Sequence, residues 1–394
     1  MTAATLSYAR STGQPRRYAF DGWVICIVAA LLLVGLVMVA SASISVSDHE
    51  SGNPFAYFER QLLFVFLGLL SAGVAMLVPT DVWEKHSIVL LVLAFVLLLL
   101  VLVPGIGHLV NGSRRWIRLG FLNFQVSEVA RVLLLTYVAS YAVRRADELR
   151  DSFKGFIKPV GVLAAAAVLL LAEPDFGATT VLMATGMVLL FLAGARLHYI
   201  VVPALAGIAG LALLTVMSPY RMRRVVAFIN PWDDPFDSGF QLVQSLIAIG
   251  RGEWFGVGLG SSVQKLFYLP EAHTDFVFAV LAEEFGFVGV CAVLGLFALL
   301  VGRALLISRR AAEAGLVFQS YLAASIGVWL GLQAFVNVGV NMGLLPTKGL
   351  TLPLLSYGGS SMLVTMGVMG LLLRIHHETV QSGRPSATRE ARRE

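Results

Sequence analysis

Residues 22–42 read Gly22-Trp-Val-Ile-Cys-Ile-Val-Ala-Ala-Leu-Leu-Leu-Val-Gly-Leu-Val-Met-Val-Ala-Ser-Ala42, without one charged side chain. About 20 such residues, rising 1.5 Å each in a helix, cross a hydrocarbon core of about 30 Å. This stretch therefore reads as a membrane span. Arg16 and Arg17 precede it and Ala40-Ser41-Ala42 resembles a signal-peptide cleavage site. The apolar run is nevertheless longer than the roughly 7 to 15 residues of a signal peptide, so an uncleaved helix is expected.

Working outward, comparable runs occupy residues 61–78, 87–103, 126–143, 176–193, 197–217, 276–301, 316–340 and 355–373. A shorter one at 159–172 is separated from its neighbour by the acidic turn Glu173-Pro174-Asp175. The expected fold is an all-α polytopic membrane protein, a bundle of ten transmembrane helices with a large loop, residues 218–274, between helices 7 and 8. Composition agrees: 57% of the 394 residues are hydrophobic and 13% charged, against roughly 25% charged in soluble domains. A soluble globule is excluded.

Cys26 and Cys291 both lie inside apolar runs, which indicates neither a disulfide framework nor a thiolate metal site. The net charge of +5 is spread over the loops and reports topology, not a nucleic-acid footprint. With ten spans the termini share one side, and most of the 29 Lys and Arg residues fall there, so both termini are expected in the cytoplasm. This divides the chain into an N-terminal tail (1–21), a membrane domain (22–376) and a polar, aperiodic C-terminal tail (377–394) expected to be disordered.

Two segments on the opposite face stand out. Residues 104–124 carry Arg114, Arg115 and Arg118 with no acid, a pattern suited to an anion. The long loop is charge-balanced, and Phe240, Val243, Leu246 and Ile247 share one helical face in it. That face fits an amphipathic helix in the membrane interface and equally a surface helix packed on the bundle.

Ionisable side chains within spans are functional candidates, with pairing as the alternative. Glu128 and Arg131, three apart, can neutralise each other on one helical face. Asp275 opens a span at the outer mouth, where the helix dipole favours its ionised form. Glu283 and Glu284 lie deeper and are expected in a buried network with Asn337 or Gln333. The stretch Gly256-Val-Gly-Leu-Gly-Ser-Ser262 has no preceding strand and is no nucleotide loop. Packing of a flexible loop is the simpler reading, although with Lys265 it could approach a diphosphate. Ser356-Tyr-Gly-Gly-Ser-Ser361 is expected to permit close helix packing. An acid, a second carboxylate and a basic cluster on one face suit an anionic amphiphile. The candidate classes are a transferase acting on a lipid diphosphate, a transporter that moves such a lipid, and a scaffold.

Several segments together resemble the SEDS family (shape, elongation, division and sporulation) of peptidoglycan polymerases. They are Asn111-Gly-Ser-Arg-Arg-Trp-Ile-Arg-Leu-Gly120, Gln125-Val-Ser-Glu-Val-Ala-Arg131, Glu173-Pro-Asp-Phe-Gly-Ala-Thr179, Asn230-Pro-Trp-Asp-Asp-Pro235, Gly260-Ser-Ser-Val-Gln-Lys265, Tyr268-Leu-Pro-Glu-Ala-His-Thr-Asp-Phe276, and Pro346-Thr-Lys-Gly-Leu-Thr-Leu-Pro353 with Ser356-Tyr-Gly-Gly-Ser360. The Val-Gln-Lys run and Ala272 look more like the division branch than the elongation branch. Val126 stands where the family usually has Pro, and Arg131 where it has Lys. The resemblance implies a glycosyltransferase using lipid II, an undecaprenyl-diphosphate disaccharide-peptide, at the periplasmic face of a bacterial inner membrane, at the division septum. It implies Asp275 as the catalytic base; Glu128, Arg131, Arg114, Arg115, Lys265, His273, Ser356 and Ser360 are the candidate substrate-binding residues. The alternatives under this resemblance are a lipid II flippase and the elongation-type polymerase. The diphosphate suggests a divalent cation, Mg2+ or Mn2+, with no ligand set identifiable; no nucleotide or organic cofactor is expected. Implied partners are the class B penicillin-binding protein FtsI with FtsQ, FtsL and FtsB, and no nucleic acid.

Overall fold

The computed structural model describes residues 19–382 apart from 111, 112, 121, 238 and 348. In chain order the elements are α1 (Gly22–Ser51), α2 (Ala56–Leu77), α3 (Thr80–Lys85), α4 (Ser87–Leu102), β1 (Gly107–Val110), β2 (Ser113–Leu119) and β3 (Leu122–Gln125). Next come α5 (Val126–Arg144), α6 (Ala146–Asp151), α7 (Phe153–Ala172), α8 (Phe176–Leu192) and α9 (Leu197–Val216). The chain continues through α10 (Pro219–Ile229), α11 (Phe240–Arg251), α12 (Val277–Glu313), α13 (Val317–Asn341) and α14 (Gly359–Ser382). Among the described residues eight helices are long and apolar enough to cross a membrane, and the shorter α4 and α8 are apolar too. Each of these overlaps one of the apolar stretches read from the sequence. The chain is an integral membrane protein.

Local chemistry sets the helix ends. Asp21 caps α1 by accepting the Val24 N–H at 3.1 Å, and Gly52 closes it at φ 66° with its N–H on the Asp48 carbonyl, since glycine tolerates the left-handed conformation. Asp175 caps α8 through the Ala178 N–H at 3.0 Å. Small residues let helices approach: α2 meets α14 where Gly370 faces the Ala72 backbone so closely that a Cβ would collide. Without a hydrophobic drive between helices in lipid, such backbone-to-backbone packing is a main source of cohesion. Cys26 and Cys291 are exposed free thiols on the bundle surface.

Two expectations need correction, and one connection gains structure. Between α4 and α5 the strands form a small antiparallel sheet in the order β1-β2-β3, with Trp116 opposite both His108 and Gln125. A connection beside a bilayer must satisfy its backbone polar groups, and two consecutive hairpins do so locally. At the other end, α14 begins at Gly359, not 355, and runs through Ser382. His377, placed in the tail by the sequence, is buried and its Nδ1 accepts the Ala19 N–H at 3.0 Å; the rest of that tail, 383–394, lies outside the described residues. The helix at 240–249 exists as α11, and it packs on α12 and α13 through Leu242, Val243, Ser245 and Ala248. Ile247, assigned to the apolar face, is 39% exposed.

A break in α12 shapes the end of the bundle where the long loop lies. Gly286 has φ 64° and ψ −163°, a conformation for which glycine is the residue of choice. The backbone groups freed there are taken up by the glycine-rich loop. Val257 and Gly258 donate to the Glu283 and Glu284 carbonyls at 2.9 and 3.1 Å, and Phe287 and Val288 donate to the Glu253 and Trp254 carbonyls at 2.8 and 3.1 Å. The loop is thus a splint for the broken helix.

Candidate active site beside the long loop

Asp275 lies two residues before α12, half-buried in the turn that follows the long loop. Its backbone carbonyl accepts two side-chain amides from α13, Asn337 at 2.9 Å and Asn341 at 3.1 Å. Asn337 also donates to the Leu350 carbonyl at 2.6 Å, and Asn341 accepts the Ala279 N–H at 3.2 Å. One turn of α13 therefore holds the Asp275 backbone, the start of α12 and the segment after α13. A Cβ on Gly349 would stand 3.2 Å from Asp275 Oδ2, so that segment lies directly against the carboxylate.

Glu128 and Arg131 are brought together at 3.4 Å, both buried on α5. Val126 occupies the first helical position after Gln125, so the helix starts where the family's proline would start it. The pair is not isolated. Arg131 Nη1 also donates to Gln333 Oε1 at 2.9 Å, and its guanidinium lies 5.0 Å from the Trp329 ring. Trp329 donates to the same Gln333 oxygen, and Gln333 Nε2 reaches the Thr351 carbonyl at 3.1 Å. Arg131 Nε and Nη2 have no hydrogen-bond partner, which is the geometric consequence of a planar fork where a point ammonium would serve.

Arg115 and Arg114 sit half-buried on β2. Arg115 reaches the turn between α7 and α8, donating to the Glu173 and Pro174 carbonyls at 3.3 and 3.0 Å, with Asp175 at 4.0 Å. Asp175 in turn accepts from Ser127 at 3.2 Å and Gln125 at 3.3 Å, tying the start of α8 to the start of α5. Glu173 is fully buried and neither carboxyl oxygen has a partner. Burial, reinforced by the negative charge of Asp175 and opposed by Arg115, pushes it up to about 9.

The structure does not bring Lys265 to a diphosphate site. Its ammonium is buried against Glu284 Oε1 and Ser41 Oγ, both at 2.8 Å, and a charge already neutralised inside the bundle offers little to a ligand outside. The carboxylates expected near Asn337 or Gln333 lie elsewhere. Glu284 holds Lys265, while Glu283 accepts from Ser262 at 2.5 Å and from Arg251 at 2.9 Å. Both anchor the splint. Ser356 is buried and its Oγ accepts the Leu352 N–H at 2.8 Å. Ser360, also buried, lies in the first turn of α14. These serines shape the segment before α14.

His273 lies beside two rings that the sequence reading did not single out. Its ring centroid is 4.7 Å from that of Tyr57 and 5.6 Å from that of Tyr357, while the two tyrosines are 5.1 Å apart. The Tyr357 N–H donates to the His273 carbonyl at 2.9 Å. Burial lowers the His273 imidazole below its ordinary range and raises the Tyr357 phenol. Isolated aromatics far apart in sequence carry no periodic signal; only the fold assembles them.

Among the described residues no group of three or more His, Cys, Asp or Glu side chains could hold a metal ion. Mg2+ usually takes one or two carboxylates plus substrate phosphates, and Asp275 is one such carboxylate.

The family model described as cell cycle protein (FtsW, RodA, SpoVE) matches residues 22–381. The chain is 54% identical, over 97% of its own length and 97% of the relative's, to a probable peptidoglycan glycosyltransferase FtsW of Thioalkalivibrio sulfidiphilus. It is 52% identical to one from Coxiella burnetii, covering 92% of this chain and 97% of the other. Among solved structures it resembles a chain of a peptidoglycan synthase complex described for its structural coordination of polymerization and crosslinking, with a TM-score of 0.76 and 33% identity over 93% of this chain and 100% of that one. It also resembles the rod shape determining protein RodA of Thermus thermophilus, with a TM-score of 0.68 and 30% identity over 92% and 99%. With most of its length matched by the family model and by these relatives, the chain belongs to the FtsW, RodA and SpoVE family of cell cycle proteins.

Proposed function

We propose that the chain is a peptidoglycan glycosyltransferase that polymerises lipid II into glycan strands during septal wall synthesis. The observation that carries this reading is Asp275, a half-buried carboxylate at the end of the bundle whose backbone is held by Asn337 and Asn341. It occurs in a chain 54% identical, nearly end to end, to a relative named for that activity. In this account Asp275 accepts the proton of the acceptor GlcNAc 4-hydroxyl as that oxygen attacks C1 of the donor sugar. The new C1–O4 bond forms with inversion, the bond from C1 to phosphate breaks, and the lipid diphosphate departs with its electron pair.

A positioned base supplies about 10²- to 10⁴-fold, so positioning and charge stabilisation must supply the rest. Arg114 and Arg115 on β2 are the groups assigned to the diphosphate, because they remain half-exposed while Lys265 is consumed by Glu284. The Glu128–Arg131–Gln333 network braces the segment after α13 against α5, which fixes the wall beside Asp275.

The excess of Lys and Arg on the side of the termini supports cytoplasmic termini and an outward-facing Asp275 in the inner membrane. Transpeptidation needs a second protein, and the likeness to a chain of a polymerization and crosslinking complex favours a class B penicillin-binding protein, FtsI, with FtsQ, FtsL and FtsB nearby. A polymerase releases one undecaprenyl diphosphate per bond formed, whereas a flippase releases none. Purified chain plus FtsI in detergent, where there are no leaflets, should release undecaprenyl diphosphate and yield strands, faster than the chain alone. Absence of both products with the partner present would contradict the polymerase reading.

A further inference from the structure

We propose that Tyr57, His273 and Tyr357 form a stacking subsite that holds a hexopyranose ring of the glycan strand beside Asp275. The inference rests on the polymerase reading above and adds a place for the sugar.

The three rings come from separate parts of the chain: the first turn of α2, the turn before α12, and the segment before α14. Their planes make angles of 56°, 75° and 61° with one another. None is stacked face to face, so each contact covers at most one face of one ring. All three side chains are half-buried, and Phe64, buried behind them, lies 5.9 Å from Tyr357. The cluster is thus packed against Phe64 while its three rings stay partly exposed. An aromatic belt at a membrane interface sets rings against lipid headgroups; here they pack on each other next to the catalytic turn. Two residues span at most about 7 Å, which bounds the separation of the His273 and Asp275 Cα atoms.

The chemistry of the cluster selects a neutral sugar over the diphosphate. Burial lowers the His273 imidazole below its ordinary range, which disfavours a positive charge on the platform. A β-linked ring of gluco configuration places its substituents equatorially and presents C–H groups on both faces, which suit the negative face of an aromatic quadrupole. The rim is polar: Tyr57 Oη donates to the exposed Glu50 carboxylate at 2.7 Å, and the Arg60 charge acts on the Tyr357 phenol. Polar groups of this kind can pair with the hydroxyl and acetamido substituents of a stacked ring. The Tyr357 to His273 backbone bond fixes the platform relative to Asp275, so a ring seated there is registered against the base.

The test uses the full-length protein in nanodiscs with Asp275→Asn, so that no turnover intervenes. The probe is a lipid-free, diphosphate-free tetrasaccharide of alternating β-1,4-linked GlcNAc and MurNAc. Saturation-transfer NMR, irradiating protein aromatic protons, is expected to reach the sugar C–H protons. Tyr57→Phe and Tyr357→Phe keep the rings and should retain binding, while Tyr57→Leu and Tyr357→Leu should weaken it about tenfold. Equal affinity of the Phe and Leu variants, or no binding by any form, overturns the subsite. With Asp275 restored and lipid II supplied, the Leu variants are expected to give shorter strands, with KM raised more than kcat is lowered; unchanged strand length also overturns it. A parent protein that binds the tetrasaccharide but makes no strands would contradict the polymerase reading and leave the sugar subsite standing.

Discussion

Asn337 donates its side-chain amide to the backbone carbonyl of Asp275 at 2.9 Å and to that of Leu350 at 2.6 Å. One side chain on α13 therefore sets the distance between Asp275 and the segment beside it. Asn337→Ala leaves the Leu350 carbonyl, part of a buried residue, without this donor, and an orphaned buried group costs about 1 to 3 kcal/mol. The variant should stay inserted, with a thermal midpoint lowered and kcat reduced more than KM is raised. Steady-state kinetics on lipid II alongside a melting curve in detergent would check both.

Arg131 offers a second test. Only Nη1 is used, on Glu128 and Gln333, and two guanidinium nitrogens are buried without partners. Arg131→Lys should be neutral or stabilising in the melting curve, since it removes unpaired donors. Arg131→Ala leaves Glu128 buried and uncompensated and should cost about 3 to 5 kcal/mol. Replacing Glu128 and Arg131 together by apolar residues should recover much of that stability. Activity lost in a folded double variant would place Glu128 in the reaction; activity retained would confine the pair to architecture.

The break in α12 predicts a severe effect from a small change. At Gly286→Ala the new Cβ would stand 2.7 Å from Gly252 O and Phe255 N, at a φ of 64°. Strain of this kind costs about 1 to 3 kcal/mol before any clash is counted. The variant should lose stability and loosen the splint, raising hydrogen exchange at Val257 and Gly258. Gly295→Ala, in the same helix with open space around it, is the control and should be tolerated.

Glu173 makes a prediction about pH. Its carboxyl is pushed up to about 9 in the folded chain, against about 4.3 when unfolded. The folded state therefore holds a proton that the unfolded state releases. The stability this contributes is fully present below about pH 4, falls by up to about 1.4 kcal/mol per pH unit between those values, and levels off above about pH 9. Glu173→Gln removes the proton linkage. Thermal midpoints between pH 5 and 10 should decline for the parent chain and decline less for the variant. Parallel curves would mean that Glu173 is ionised in the folded state.

The ten apolar stretches were legible because lipid imposes a length and a composition that need no tertiary information. The pairing of Glu128 with Arg131 was legible too, since a spacing of three fixes their face. What escaped depends on where distant segments meet. Lys265 reads as a free cation in the sequence, yet Glu284, one of two adjacent carboxylates on α12, neutralises it. The glycine run was read more simply as loop packing than as a phosphate cradle, but the break at Gly286 that its amides serve could not be seen from the sequence. Likewise β1 to β3 were hidden because a short Arg-rich connection carries little periodic signal, although its strands exchange backbone bonds in register. Tyr57, His273 and Tyr357 share no motif, and only the packing of α2 against α14 brings them together.

The most direct test of Asp275 as base compares the parent chain with Asp275→Asn, both with the penicillin-binding protein present, measuring undecaprenyl diphosphate released from lipid II and the strands formed. Asn preserves the shape and the backbone carbonyl that Asn337 and Asn341 hold, so the variant should insert and melt like the parent. The account predicts one undecaprenyl diphosphate per glycosidic bond from the parent chain and none above background from the variant. Strands made by Asp275→Asn at the parent rate would contradict it.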